Sequence, residues 1–251
     1  MTIMQDHGTT RPTVEVRRGE RRFHTQAGWL DSRHSFSFSH HYDPSNMHHG
    51  LLLVHNDDVV KPNTGFRSHP HRDMEIVTWV LDGELEHKDS EGNSGIIYPG
   101  LAQRMSAGTG IWHSEMNPQG DKDVHFIQMW VPPDQESVTP SYEQLDINGQ
   151  LNKGGLVPIA SGRGHQAAIS IRQKGALLWG GRLQPGEAVR VPDAPYVHLF
   201  VTKGSAELEG AGRLDAGDEA RLTAAGSRRL TAGKTHGAEV LIWETDAALE
   251  P

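Results

Sequence analysis

GFRSHPHRDME (residues 65–75) and QRMSAGTGIWHSE (residues 103–115) each contain a pair of potential metal ligands two positions apart. The pairs are His69 with His71 and His113 with Glu115. In a β-strand, residues two positions apart project from the same face and lie about 7 Å apart along the backbone. If the two strands are neighbours in a barrel, the four side chains converge inside it.

Three imidazoles and one carboxylate suit a first-row divalent metal, and the set contains no soft ligand that would favour Cu(I). Each motif alone is weak evidence, because the chain contains 16 histidines. The alternative is a set of surface histidines on turns, with Pro70 marking an irregular or edge strand. Ligand type and same-face spacing together favour one metal site with positions left open for water, substrate or dioxygen.

The surrounding sequence predicts an all-β protein. Its 28 glycines and 14 prolines separate short runs rich in Val, Ile, Leu, Thr and aromatic residues, which are typical of strands. We predict strands at Gly50–His55, Glu75–Leu81, Val124–Val131, Ala167–Ile171, Val197–Thr202 and Val240–Glu244. Helical periodicity is scarce, and Ser141–Asp146 is the segment for which we expect one or two helical turns. The strand spacing favours barrels or sandwiches.

A weak internal repeat predicts two copies of one small barrel. The segment from Trp79 to Glu86 resembles the segment from Phe200 to Leu208. We therefore expect two domains, residues 1–135 with the metal site and residues 136–251 without one, divided in a proline-bearing stretch.

Composition excludes several classes of function. The chain has 251 residues and no cysteine, which excludes disulfides, iron–sulfur ligation and thiolate nucleophiles. No apolar run reaches the roughly 20 residues that span a bilayer, and the polar start from Met1 to Arg11 predicts no secretory signal. The net charge is −8 without a long basic run, so we expect no direct contact with nucleic acid. A cytoplasmic location and no membrane association are expected.

The two motifs closely resemble the two cupin motifs of the pirin family. Phe36–Phe38, Tyr42–Pro44 and the stretch from Leu145 to Gly154 also resemble bacterial pirins, including those assigned as quercetinases. The resemblance extends from about Arg21 to the C-terminal strands. It implies a bicupin of jelly-roll type whose two barrels face each other. It also implies that the N-terminal barrel binds one divalent metal per chain, with the ligands His69, His71, His113 and Glu115.

Glu75 is a second candidate for the carboxylate ligand. Many cupins take their carboxylate from the first motif, at the place that Glu75 occupies, whereas pirins resemble the arrangement with Glu115. On a continuous strand Glu75 lies too far from His69 to share a metal, although a bend at residues 72–74 could return it. We expect Glu115 to be the ligand and Glu75 to support the site or the fold.

The other histidines are expected to be structural. A loop with exposed or packed side chains is the interpretation of His34, His40, His41, His48 and His49, although a second metal site there is the alternative. His87 and His125 could face the barrel lumen or point outward. In the second barrel, His198 and His236 lack a partner two residues away, and we expect neither to bind metal.

The resemblance implies a dioxygenase that opens the ring of a quercetin-like flavonol with O2 and releases CO. Fe(II) is the expected metal, and Mn, Ni, Co, Cu or Zn would suit the same ligands. Glu115 could also accept the proton of the substrate's 3-hydroxyl. One alternative is a metal-binding, redox-responsive regulator that acts through a protein partner without turnover. Another is a sugar or small-acid isomerase, which the aromatic surroundings of the motifs disfavour.

Overall fold

The computed structural model describes residues 3–4, 11–164 and 166–250. In these ranges the chain forms strands, one short α-helix and one 3-10 turn, which confirms the predicted all-β class. The polar start of the chain, for which no secretory signal is predicted, lies mostly outside the described residues. No helix in the described ranges is long and apolar enough to cross a membrane.

The chain before the α-helix contains thirteen strands and the 3-10 turn Gly19–Arg21. The strands are β1 (Ile3–Met4), β2 (Thr13–Arg17), β3 (Phe23–Gln26), β4 (Leu30–His34), β5 (Val54–Val60), β6 (Gly65–His71), β7 (Glu75–Asp82), β8 (Leu85–Asp89), β9 (Ser94–Ile97), β10 (Leu101–Ser106), β11 (Ile111–Met116), β12 (Val124–Val131) and β13 (Ser141–Asp146).

The helix α1 (Asn148–Leu151) leads into ten further strands. These are β14 (Val157–Ser161), β15 (Ile169–Ser170), β16 (Ala176–Leu183), β17 (Ala188–Arg190), β18 (Tyr196–Leu208), β19 (Gly212–Asp215), β20 (Glu219–Thr223), β21 (Arg229–Ala232), β22 (Ala238–Thr245) and β23 (Ala248–Leu249).

The first half is a jelly roll made of two facing sheets. One sheet has seven strands in the order β13-β10-β7-β12-β5-β4-β3, and the other has four in the order β6-β11-β8-β9. Ten strands form the second half, along the path β15-β14-β16-β22-β18-β20-β2 with β17, β19 and β21 attached. The sheets do not close into complete barrels, and the implied bicupin architecture is present as two jelly rolls.

Strands are exchanged between the two halves. The early strand β2 pairs with β20 of the second half, from Thr13 opposite Thr223 to Arg17 opposite Glu219. In the other direction, β13 pairs with β10 of the first half, although it lies beyond residue 135. Each jelly roll therefore contains one strand from the other side of the predicted domain boundary.

The halves share one apolar core because strand residues alternate between two faces. In β7, Val77, Trp79 and Leu81 are buried in a cluster that also contains Phe200 and Trp243 of the second half. The intervening residues of β7 point to the lumen of the first jelly roll. This sheet therefore has an apolar outer face, against which the ten-stranded sheet packs.

The predicted strands Val197–Thr202 and Val240–Glu244 lie within β18 and β22. Gly50–His55 is wrong for most of its length, because β5 begins only at Val54, and of Ala167–Ile171 only the two residues of β15 are strand.

Two further predicted strands agree closely with the structure, and one predicted helix is wrong. The predicted strand Val124–Val131 coincides with β12, and Glu75–Leu81 is β7 without its last residue. Ser141–Asp146 is strand β13 rather than helix, because it completes the edge of the seven-stranded sheet beside β10. The helix starts two residues later, at Asn148.

We expect Trp243→Ala to destabilise both halves together. The Trp243 side chain is 1% exposed, and its indole nitrogen lies 3.1 Å from the sulfur of Met129 in the other half. Truncating a buried tryptophan costs about 3–5 kcal/mol in the free energy of unfolding. Urea denaturation followed by circular dichroism and by fluorescence should show one transition at a lower midpoint.

Trp112→Ala is the matched control, because this tryptophan is 55% exposed. Its loss should change the free energy of unfolding by less than about 0.5 kcal/mol. Two separate transitions in the Trp243 variant, or equal effects of the two substitutions, would contradict a shared core.

Candidate metal centre

The two motifs lie on neighbouring antiparallel strands, which is the condition for their side chains to converge. Strand β6 pairs with β11, and His69 stands opposite His113 in the register. The register shifts between His113 and Glu115, where β6 contributes an extra residue, so that Glu115 pairs with Phe66. A bulge of this kind re-aims side chains beside a site.

The structure brings the three predicted histidines together. One ring nitrogen each of His69, His71 and His113 lies within 4.8 Å of the others. The ring centroids of His69 and His113 are 4.5 Å apart, and both other pairs are 4.9 Å apart. Within the described ranges, this is the single group of three or more histidine or carboxylate side chains at such distances.

The chemistry of these nitrogens fits a bound cation. The Nε2 atom of His71 and both ring nitrogens of His113 are buried without a hydrogen-bond partner. Burial, together with the neighbouring imidazoles, lowers the pKa of His71 to about 4 and the pKa of His113 to about 3. Both rings are therefore neutral at pH 7, with lone pairs available. A buried polar atom without a partner is costly, and a metal ion would supply that partner.

His69 is oriented by the backbone of its own strand. Its Nδ1 donates to the carbonyl oxygen of Arg67 at 2.7 Å. This bond places the proton on Nδ1 and leaves Nε2 free as a ligand atom. Metal-binding histidines usually have such an outer hydrogen bond, which fixes the tautomer and the ring orientation.

Glu115 lies outside the group of three ligand nitrogens and is held by the opposite sheet. Its Oε2 accepts a hydrogen bond from Gln128 Nε2 at 2.6 Å, and its Oε1 accepts one from Thr78 Oγ1 at 3.4 Å. The carboxylate is 1% exposed and lines the same cavity as His69 and His71. Sequence reasoning missed Gln128 and Thr78, although each is a polar residue between two apolar neighbours in its strand.

Glu75 points away from this centre. Its Oε2 accepts hydrogen bonds from Ser106 Oγ at 2.8 Å and from the backbone N–H of Arg172 at 3.0 Å. Because Arg172 belongs to the second half, Glu75 joins the two jelly rolls. These contacts describe a carboxylate that supports the fold.

The remaining histidines occupy three kinds of place. His87 is fully buried behind the centre, with its Nε2 3.1 Å from Asp89 Oδ2 and its ring 5.3 Å from that of His113. His125 points outward, and its Nε2 lies 2.6 Å from Asp57 Oδ1. His198 packs at 4.8 Å against His55 between the two halves, and His236 is exposed.

The histidines of the predicted loop divide similarly. His34 lines the cavity, and its Nδ1 is 2.8 Å from Asn56 Oδ1. The rings of His40 and His41 pack 4.1 Å apart, and His49 lies 3.1 Å from the carbonyl oxygen of Leu222. None of these residues belongs to a potential metal group within the described part of the chain.

A cavity of about 780 Å³ opens beside the histidines and has aromatic walls. Trp130 meets the His71 ring edge to face at 4.8 Å, and Phe38 meets Trp130 at 5.7 Å. On another wall, Trp29 and Phe66 pack edge to face at 5.1 Å. A cavity of this size and lining suits a small, flat and largely apolar ligand.

Two family descriptions match the chain. The family described as Pirin matches residues 16–131, which include both histidine motifs. The family described as quercetinase C-terminal cupin domain matches residues 158–245.

Similar proteins come from several bacteria. A protein of Mycobacterium tuberculosis, provisionally named a quercetin 2,3-dioxygenase, is 58% identical over 238 residues, which are 94% of this chain and 97% of that protein. A protein of Escherichia coli K12 named quercetin 2,3-dioxygenase is 49% identical over 198 residues, which are 78% of this chain and 84% of that protein. The crystal structure of the bacterial pirin YhhW from Escherichia coli in complex with nickel(II) has a TM-score of 0.85 and 32% identity, and covers 94% of this chain and 100% of that one.

We expect His113→Ala to abolish tight metal binding without unfolding the protein. The substitution removes one of three converging nitrogens and should weaken affinity for Ni(II) or Fe(II) by roughly a hundredfold or more. Isothermal titration with Ni(II) and metal analysis after dialysis would measure the loss.

His125→Ala is the control, because this histidine contacts Asp57 on the outer side of the sheet. This variant should bind the metal with unchanged affinity and with a stoichiometry of one metal per chain. If His113→Ala retained the affinity of the unmodified protein, the three-histidine centre would be the wrong site.

Proposed function

The chain belongs to the pirin family, and we propose that it is a metal-dependent dioxygenase that opens the heterocycle of a flavonol with O2. One observation carries the proposal. Three histidines converge at the wall of an aromatic cavity of about 780 Å³, and buried ring nitrogens of His71 and His113 have no hydrogen-bond partner. The names of the Escherichia coli and Mycobacterium tuberculosis relatives support the same chemistry.

The proposed metal ligands are His69, His71, His113 and Glu115. The ion is a divalent first-row metal, for which we propose Fe(II) first, while the nickel complex of YhhW supports Ni(II) as a second occupant. Imidazole and carboxylate ligands suit several ions of this series, and supply decides among them. When bound, the metal would act as a Lewis acid that lowers the pKa of a coordinated hydroxyl.

Glu115 is the proposed proton acceptor for the substrate's 3-hydroxyl. Gln128 and Thr78 hold its carboxylate, so the acceptor oxygen needs little reorganisation when the substrate arrives. The proton returns to the carboxylate group of the ring-opened product. One O2 is consumed and one CO leaves for each flavonol, and the reaction requires no external reductant.

The aromatic walls have two roles in this proposal. Trp130 and Phe66 offer flat apolar surfaces on which a flavonol ring can pack. The same surfaces exclude water from the reacting face, which strengthens the hydrogen bonds inside the cavity.

We expect Glu115→Gln to lower kcat for quercetin by roughly a hundredfold or more, because glutamine cannot accept the proton. The measurement is O2 uptake together with the loss of flavonol absorbance. The protein would be reconstituted anaerobically, in turn, with Fe(II), Mn(II), Ni(II), Co(II) or Cu(II).

Glu75→Gln is the matched control, since Glu75 is equally buried but contacts Ser106 and Arg172 instead of the centre. It should lower thermal stability and retain turnover. Tight metal binding with no O2 uptake for any ion would contradict the dioxygenase proposal. It would favour the alternative, a regulator that acts through a protein partner.

A further inference from the structure

We propose that Asp58 is a second recognition point in the cavity, which hydrogen-bonds a phenolic hydroxyl of the flavonol other than the 3-hydroxyl. This inference rests on the proposed function, because it takes the cavity to hold a flavonol. It predicts that the cavity binds flavonols with additional hydroxyls on their aromatic rings more tightly than 3-hydroxyflavone, which lacks them.

Asp58 faces the cavity from the sheet opposite the three histidines. It lies in β5 of the seven-stranded sheet, opposite Ser32 of β4 and Phe126 of β12. The residue is 2% exposed and lines the same cavity as His69 and His71. Asp58 therefore lies on a different wall of the cavity in which a ligand near the histidines would bind.

Several other polar side chains of this wall form hydrogen bonds within the protein. The Oδ1 of Asn56 accepts from His34 Nδ1 at 2.8 Å, and Thr25 Oγ1 lies 2.9 Å from His34 Nε2. Gln128 donates to Glu115 and accepts from the Trp130 indole at 3.1 Å. These side chains have their partners within the protein.

Asp58 is the acidic side chain of this wall, and one of its two carboxyl oxygens is left for a ligand. Its Oδ1 accepts a short hydrogen bond from Ser32 Oγ. Its Oδ2 has no hydrogen-bond partner among the residues that the structure describes. Because Asp58 lines the cavity, this oxygen is available to pair with a ligand hydroxyl there.

Asp58 can pair with a hydroxyl whether or not its carboxyl group carries a proton. Burial raises the pKa of Asp58 to about 7, and the charges of Asp57 and Glu115 add to the rise, while the bond from Ser32 opposes it. A neutral carboxyl group can donate to a phenolic oxygen, and an ionised one can accept from a phenol. Either form can pair with a hydroxyl.

The competing interpretation is that Asp58 serves only to tie β5 to β4 through Ser32. The two interpretations differ in what Ser32→Ala should do. This variant removes the tie but leaves the carboxyl group of Asp58 in the cavity. Asp58→Leu removes both the tie and the recognition group at similar side-chain size.

The experiment compares quercetin with 3-hydroxyflavone, which retains the 3-hydroxyl and the 4-carbonyl but lacks the remaining hydroxyls. Both would be titrated without O2 into Fe(II)-loaded protein, and binding would be followed by quenching of tryptophan fluorescence, since Trp29 and Trp130 line the cavity. Binding is thus read independently of turnover.

We expect the unmodified protein to bind quercetin at least tenfold more tightly than 3-hydroxyflavone, as one hydrogen bond to a buried group allows. Asp58→Leu should weaken quercetin binding by roughly tenfold and change 3-hydroxyflavone binding by less than about twofold. Ser32→Ala should lower thermal stability and retain the preference for quercetin.

The inference is overturned if Asp58→Leu weakens both ligands equally, if Ser32→Ala abolishes the preference as completely as Asp58→Leu, or if the unmodified protein binds neither ligand. Failure of the proposed function looks different. In that case the binding preference would hold as expected, but no metal would support O2 uptake. If the unmodified protein turned over both ligands, and Asp58→Leu kept the same binding preference for quercetin, the inference would fail while the proposed function would stand.

Discussion

The seven-stranded sheet has to satisfy two chemically different environments, and side-chain alternation along its strands makes this possible. Its outer face packs against the second jelly roll through residues such as Val77, Trp79 and Met129. Its inner face closes a cavity beside the histidine centre. A shift of one residue in any central strand would exchange the two sets of side chains, which fixes the register strongly.

The inner face carries a row of polar side chains from strand to strand. Asn56, Gln128, Thr78 and Gln103 stand opposite one another on four successive strands. Buried polar groups need hydrogen-bond partners, and Gln128 and Thr78 find theirs in Glu115 of the facing sheet. The carboxylate is thus positioned by the same bonds that hold the two sheets of the first jelly roll together.

Much of this arrangement could be predicted from the sequence, because it depends on local spacing. Residues two apart share a strand face, so the members of each motif project together, and the paired strands β6 and β11 bring the three histidines within reach of one another. Asp58 could not be found in this way. Its sequence neighbours, Asp57 and Val59, give no sign of which face meets the cavity, and that depends on the pairing of β5 with β4 and β12.

The prediction for Ser141–Asp146 failed for a related reason. The segment SYEQLD has no strong strand propensity, and its extended form depends on pairing with β10, which is far away in the sequence. Tertiary context decided the structure of this segment. It also carries the chain back to the first jelly roll after residue 135.

Strand alternation also explains which carboxylate stands near the histidines. In β7, Glu75 shares its face with Val77 and Trp79, and that face meets the second jelly roll. Thr78, on the opposite face, contacts Glu115. A carboxylate at position 75 is therefore directed away from the lumen by the same alternation that builds the shared core.

The same reasoning applies to His198 in β18. Its neighbours Val197 and Leu199 lie in the core of the second jelly roll, whereas His198 faces His55 of the first. A histidine on that face lies between the two jelly rolls and cannot converge with others inside its own. The strand face that His198 occupies thus explains why it does not contribute to a histidine cluster inside the second jelly roll.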